Sequence, residues 1–321
     1  EKDGGKVFVN SPNAIEGNRA EKCDTSAAEF QSSETGIVDG IGTEDEIFAK
    51  IRSLVSILPE NNQADVYTGE CTDDLNRACE SMENMRGDAR YLLAEISDGH
   101  VFFETKEDYA KDMVTGFIKL NGMTVGAVAN CTEVYDETGS KKEEFEPVLT
   151  ARGCDKAAEF IAFCDAFEIP VLSMAHVTGF KACKCAEKRL AKAMGRLTYA
   201  FANATVPKVN LITGDVFGSA SVIMNAKSIG ADLVYAWPDV KVGMMDAKLA
   251  AGIMYEGESA DVIEKKAKEY DALQDSVLSA AKRGYVDLVV EPQDTRKYMV
   301  AAFEMLYTKR MDGPFKKHGT K

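Results

Sequence analysis

Apolar runs and amphipathic stretches alternate along the middle of the chain in the order expected of strands crossed by helices. The pattern predicts helices at 154–167, 187–204 and 219–228 and strands at 170–177, 208–213 and 233–237. The run 171–175 lacks polar alternation, as expected for a strand that helices cover on both faces. This order predicts an α/β fold built on a parallel sheet.

The flanking segments add one amphipathic helix upstream and a mixture of helices and short strands elsewhere. Residues 44–58 place their apolar positions on one helical face behind acidic leading residues, and Pro59 ends that helix. Other predicted elements are helices at 73–85, 109–117, 258–281 and 296–309, strands at 101–104, 118–120, 124–129 and 286–290, a hairpin turn at Asn121-Gly122 and a solvated loop at 136–146. A polar connector lies at 60–70, and from about residue 73 onward the pattern is that of one complete α/β unit.

Composition and charge exclude several classes of protein. The 321 residues are 45% hydrophobic, which is ample for a buried core. No apolar run approaches the roughly 18 residues of a membrane-spanning helix, and the first residues lack the order of a secretory signal. We therefore expect a cytoplasmic protein. A net charge of −14 would repel nucleic acid, so we expect no nucleic-acid partner.

The cysteines do not predict a disulfide framework or a metal site. Eight cysteines occur in a long chain without a secretory signal, so we expect reduced thiols. Only Cys183 and Cys185 stand close enough to suggest a shared ligand, and the three histidines are scattered. This spacing does not match a structural zinc site, and we expect no metal.

A strand, a glycine-containing turn and a helix follow one another between 208 and 228. The turn runs from Gly214 to Gly218, and Ser219 opens the helical pattern. Backbone N–H groups at Ser219 and Ala220 would be unpaired within the helix and could stabilise a developing negative oxygen. This chemistry needs no particular side chain, so the sequence indicates it only through the turn and the helix start that it predicts.

The sequence of several segments resembles that of the carboxyltransferase subunit of biotin-dependent acyl-CoA carboxylases. The resemblance is to the propionyl-CoA carboxylase β type and to the related sodium-pumping decarboxylases. The matching segments are FIAFCDAFEIPVL at 160–172, YAFANATVPKV at 199–209, YAWP at 235–238, AAKRGYVDLVVEPQDTR at 280–296 and GPFKKHG at 313–319. Weaker similarity reaches back to VFVNSP at 7–12. The resemblance therefore covers nearly the whole chain.

The resemblance implies a crotonase-type ββα spiral of the ClpP/crotonase superfamily. Residues 71–321 would form one complete C-domain and residues 1–70 the tail of a second, similar N-domain whose first part has no counterpart here. The implied reaction moves a carboxyl group between carboxybiotin and an acyl-CoA thioester (propionyl-, acetyl-, methylmalonyl- or malonyl-CoA). Biotin would arrive in trans on a biotin carboxyl carrier protein. The other implied partners are a biotin carboxylase subunit or membrane decarboxylase subunits, and further copies of the chain in a homo-oligomer built from dimers, up to a hexamer.

The resemblance also assigns site residues by position. The catalytic turn would consist of Gly218, Ser219 and Ala220, whose amides hold an oxyanion. Residues expected to contact substrate or biotin are His176, Gly179, Phe180, Met245 and Asp246.

Departures from the family pattern cluster at these positions and keep two alternatives open. Where the family has Gly-Gly-Ala-Tyr, this chain has Gly-Ser-Ala-Ser at 218–221. Where the family has Asp-Val-Pro-Gly-Phe, this chain has His176 in place of the aspartate, and the family's Met-Gly is replaced by Met245-Asp246. Ser219 keeps the N–H, but it would be strained if its φ were positive. The alternatives are a non-catalytic carboxyltransferase-like scaffold, or another crotonase-type acyl-CoA enzyme that uses His176 or Asp246 as a base.

Overall fold

A mixed sheet lies at the centre of the computed structural model, which describes residues 1–21, 23–136 and 138–311. The strands are β1 Phe102–Thr105, β2 Met113–Leu120, β3 Met123–Asn130, β4 Glu133–Tyr135, β5 Lys141–Glu144, β6 Val148–Leu149, β7 Val171–Val177, β8 Gly179–Phe180, β9 Lys208–Phe217, β10 Leu233–Ala236, β11 Val242–Gly243 and β12 Leu288–Val289. The matching segment at 313–319 lies outside the described residues.

The helices surround this sheet. They are α1 Glu16–Glu21, α2 Ala28–Phe30, α3 Glu44–Ile57, α4 Ala89–Ile96, α5 Ala151–Ala166, α6 Lys184–Glu187, α7 Leu190–Asn203, α8 Gly218–Ile223, α9 Ala247–Met254, α10 Ala260–Tyr270, α11 Val277–Lys282 and α12 Thr295–Leu306. A π-helical turn, Asp271–Asp275, joins α10 to α11. Within the described ranges, none of these helices combines the length and apolarity needed to span a bilayer.

The central sheet has the order β1-β2-β3-β7-β9-β10-β12, and β11 pairs with the far end of β9. Strands β1 to β3 form an antiparallel meander, whereas β3, β7, β9, β10 and β12 are parallel neighbours. Because helices cover both faces, β3, β7 and β9 are almost entirely buried, as the apolar runs predicted. The predicted parallel α/β order is confirmed.

Two predicted helices are wrong. Residues 73–85 form turns, and the first helix of this region, α4, begins at Ala89 after Asp88 accepts hydrogen bonds from two of its first amides. The segment 109–117 is not helical because β2 begins at Met113 and pairs with β3 along its whole length. Tertiary pairing of buried residues thus overrides the local helical pattern.

Other differences concern boundaries. Strand β9 continues to Phe217, so it carries the chain to the predicted catalytic turn. The predicted loop at 136–146 contains β5, which pairs with β4 in a small antiparallel sheet. The Asn121-Gly122 turn is confirmed as the link between β2 and β3, and both of its residues have positive φ.

Candidate active site

A cavity of about 530 Å³ opens where β9 ends and α8 begins. Seven of the eight residues predicted for the site line it: Gly179, Phe180, Gly218, Ser219, Ala220, Met245 and Asp246. Asp215, Thr178 and Met244 complete much of the remaining wall. Residues from three distant stretches of the chain therefore meet at one edge of the sheet.

The turn at 218–220 has the backbone shape that an oxyanion site needs. Gly218 has a φ of +60°, and Ser219 follows it in helical conformation. Gly218, and not Ser219, therefore absorbs the left-handed geometry, so the serine fits without strain. No side chain caps the start of α8, and the first amides of a helix have no partner one turn earlier within it.

Exposure at the turn is uneven. Ser219 is exposed and Gly218 half-buried, whereas Ala220 is buried although it lines the cavity. The open part of the turn is therefore at Gly218 and Ser219.

Strand β11 brings the opposite wall close to the turn. Its Gly243 pairs with Phe217, the residue directly before Gly218. Residues 244–246 then continue from β11 along the cavity. The carbonyl oxygen of Met244 comes so close to Gly218 that a Cβ there would lie 3.1 Å from it. The β-pairing thus brings the two walls next to each other.

Asp246 has a structural role in this wall. It is the N-cap of α9, and its Oδ1 accepts hydrogen bonds from the amides of Lys248 at 3.0 Å and Leu249 at 3.2 Å. These two hydrogen bonds satisfy amides at the start of α9 and occupy Oδ1, so the carboxylate serves as a helix cap. This contact weighs against the alternative in which Asp246 is a catalytic base.

His176 is near the cavity but does not line it. It lies on β7, its amide donates to Asn130 Oδ1 at 3.2 Å, and its ring packs so closely on Gly214 that a Cβ there would collide with it. Burial lowers the pKa of His176, and the negative charge of Asp215 only partly opposes this shift. The ring is therefore neutral near pH 7, and it is not among the groups that line the cavity.

An acidic group that sequence reasoning missed lies behind this wall. Asp275 is 0% exposed, and among the described residues neither of its carboxyl oxygens has a hydrogen-bond partner. Burial, reinforced by the charge of Asp271, raises its pKa to about 6. The only signal in the sequence was two aspartates four residues apart on a predicted helix, where like charges repel.

The sheet order and the open turn at the end of β9 define a crotonase-like carboxyltransferase fold, which comparison with solved structures confirms. Transcarboxylase 12S, solved as a hexamer with hydrolysed methylmalonyl-coenzyme A bound, superposes with a TM-score of 0.87 at 30% identity, over 98% of this chain and 62% of that one. A single-chain, multi-domain long-chain acyl-CoA carboxylase shares the fold, with a TM-score of 0.71 at 22% identity, over 92% of this chain and 29% of that one.

Residues 1–320 match the family described as the carboxyl transferase domain, and the chain belongs to that family. It is 34% identical to the propionyl-CoA carboxylase beta chain of Roseobacter denitrificans, over 99% of this chain and 63% of that protein. It is 32% identical to the methylmalonyl-CoA carboxyltransferase 12S subunit of Propionibacterium freudenreichii, over 98% of this chain and 61% of that subunit. The chain thus spans less than two thirds of these relatives, and the family predicted from the sequence is confirmed.

Proposed function

We propose that this chain supplies carboxyltransferase activity to a biotin-dependent acyl-CoA carboxylase or decarboxylase. The observation that carries the proposal is the single cavity lined by the 218–220 turn, by β8 and by residues 245–246. Relatives named for propionyl-CoA carboxylation and for methylmalonyl-CoA decarboxylation support it from both directions of the reaction. The substrates would be a carboxybiotin and a short acyl-CoA thioester.

The backbone of the turn would do most of the chemical work. Biotin, when bound, supplies the carrier of the carboxyl group. The amides at 218–220 would stabilise negative charge on an oxygen in the cavity without reorganising, and removing one such donor typically costs about 3 to 4 kcal/mol of barrier. Nothing lies within 4 Å of a Cβ placed on Gly179, so the cavity has free space beside β8 for the ring of biotin.

Assembly with other chains belongs to the same proposal. Helix α9 starts at the cavity wall and exposes Leu249, Ile253 and Met254, which are 58%, 61% and 55% exposed. Apolar side chains in such a group favour a protein partner. We infer a homo-oligomer with α9 at a subunit contact, a biotin carboxyl carrier protein at the cavity, and a biotin carboxylase or membrane decarboxylase subunit in the complex. The cytoplasmic location of the chain and its division into the units 1–70 and 71–321 stay predictions.

The test is decarboxylation of malonyl-CoA and methylmalonyl-CoA by the native complex, with and without biotin, and with avidin as a blocker. Biotin-dependent, avidin-sensitive release of CO₂ is the expected result and would rank the two acyl groups. Turnover without biotin would replace the proposal with a different crotonase-type chemistry. A folded oligomer that binds the thioester but never turns over would instead support the non-catalytic scaffold.

A further inference from the structure

Asp275 occupies an unusual position next to the cavity. It ends the π-helical turn Asp271–Asp275, and such turns occur frequently at functional sites. Its side chain is fully buried, and its two oxygens lack hydrogen-bond partners in the part of the chain that the structure describes. A buried carboxyl group without partners costs stability, so its presence calls for an explanation.

The carboxyl group packs directly on the backbone of β11. A Cβ on Gly243 would collide with Oδ1 of Asp275, so the glycine leaves the space that the carboxyl group fills. Gly243 pairs with Phe217 on one side and is followed by residues 244–246 on the other. Asp275 therefore touches the one strand residue that links the turn of the cavity to its opposite wall.

Charged groups face Asp275 from every neighbouring element. Asp271 comes from the same π-turn, Asp215 from β9, Asp246 from the start of α9, and Lys241 from the residue before β11. Lys241 is engaged elsewhere, since its Nζ pairs with Asp271 at 2.6 Å and its amide donates to Asp215 Oδ1 at 2.9 Å. The surplus of negative charge opposes ionisation of Asp275.

A metal ion does not explain the cluster. Within the described ranges, no group of three or more His, Cys, Asp or Glu side chains is arranged to hold one. The contact that the structure does show is the close packing of the carboxyl group on Gly243 of β11, which points to a mechanical role.

We propose that Asp275 is a positioning residue of the site, whose carboxyl group supports Gly243 and thereby sets the distance between the 244–246 wall and the Gly218 turn. This inference rests on the proposed function, in which the cavity takes an acyl-CoA or biotin. The neutral carboxyl group fits the apolar contact with β11. Ionisation places a second negative charge beside Asp271 and pushes the wall from its position.

The first experiment compares pH profiles of wild type, Asp275→Asn and the control Asp271→Asn in the native complex. The KM for malonyl-CoA of the wild type should rise severalfold from pH 5.5 to pH 7.5, through the pKa of about 6, with a smaller change in kcat. Asparagine keeps the shape of the side chain but cannot ionise, so the KM of Asp275→Asn should not change with pH. The control Asp271→Asn keeps Asp275, so its KM should still rise with pH. An unchanged profile in Asp275→Asn would overturn the inference.

The second experiment tests the contact itself by exchanging volume across it. Gly243→Ala should raise the KM for malonyl-CoA, because its Cβ collides with the carboxyl group. The double variant Gly243→Ala with Asp275→Ala should recover most of the loss, since the methyl group enters the vacated space. Additive losses would contradict the proposal.

Failure of the proposed function is separable from failure of this inference. If the wild type shows no turnover, the same variants are compared by the pH dependence of malonyl-CoA binding, measured by calorimetry. A flat binding profile in the wild type would overturn the role of Asp275 without reference to catalysis.

Discussion

At the scale of single residues, the candidate site depends on backbone geometry more than on side-chain chemistry. Gly218 takes the left-handed conformation, and Ser219 presents an amide from ordinary helical backbone. The two ionisable residues that sequence reasoning placed here have other tasks. Asp246 caps α9, and the ring of His176 packs against Gly214. The oxyanion site that we propose therefore depends on backbone amides.

Paired substitutions in the turn separate backbone from side chain. Ser219→Ala keeps the N–H, so biotin-dependent decarboxylation should stay within about threefold of wild type. Gly218→Ala forces a Cβ into left-handed backbone, which costs about 1 to 2 kcal/mol and displaces the amides. Its kcat should fall on the order of 10²-fold, as expected when an oxyanion donor is lost.

Steady-state kinetics on both variants check this expectation, with a thermal melt to confirm folding. A large loss in Ser219→Ala would assign the chemistry to the hydroxyl group and contradict the role of the amides.

At the scale of elements, α12 fixes the segment that precedes α4. Arg296 is 0% exposed and donates to Asp98 Oδ1 at 2.7 Å, to the carbonyl oxygen of Ile96 at 2.6 Å and to that of Asp74 at 3.1 Å. One side chain of α12 therefore links residue 74 to the end of α4 and to residue 98. This contact explains how residues 73–85 are ordered without being helical.

The Arg296→Met variant should unfold at a markedly lower urea concentration than the wild type. Removing one partner of a buried ion pair typically costs 3 to 5 kcal/mol, roughly, because the remaining charge stays buried. Lys297→Met is the matched control, since Lys297 is the next residue and its side chain is 38% exposed in a pair with Asp294. Equal free energies of unfolding for the two variants, measured by urea titration, would show that the Arg296 contacts add no net stability.

At the scale of the whole molecule, the cavity lies beside an apolar surface that the described chain does not cover. The exposed face of α9 continues from the wall that Leu249 contributes to the cavity. A subunit contact there would place a second copy next to the site, so assembly and activity would be coupled. The net charge of −14 keeps the rest of the surface strongly solvated.

Ile253→Asp should weaken the oligomer and lower turnover together, because it puts a charge in the proposed apolar contact. Val55→Asp is the control, since Val55 is 69% exposed on α3, which contributes nothing to the cavity lining. Light scattering after size exclusion measures the mass of each variant. A native mass for Ile253→Asp would exclude α9 from the contact.

The sequence by itself determined the family, the parallel α/β order and seven of the twelve residues that line the cavity. These properties follow from local signals: apolar runs of strand length, turn residues such as Asn121-Gly122, and motif wording spread along the chain. It could not predict that residues 113–117 are a strand, because their helical pattern yields to pairing with β3.

Only the tertiary structure decided which side chains face the site. Asp275 is far from Gly243 in the chain, and their contact exists because β11 and the π-turn pack together. The same holds for His176. Its place on β7 predicted that it lies near the site, but its ring packs against Gly214 and does not line the cavity. The physical reason is that local patterns specify elements, whereas orientation, burial and pKa depend on neighbours that only the folded chain brings together.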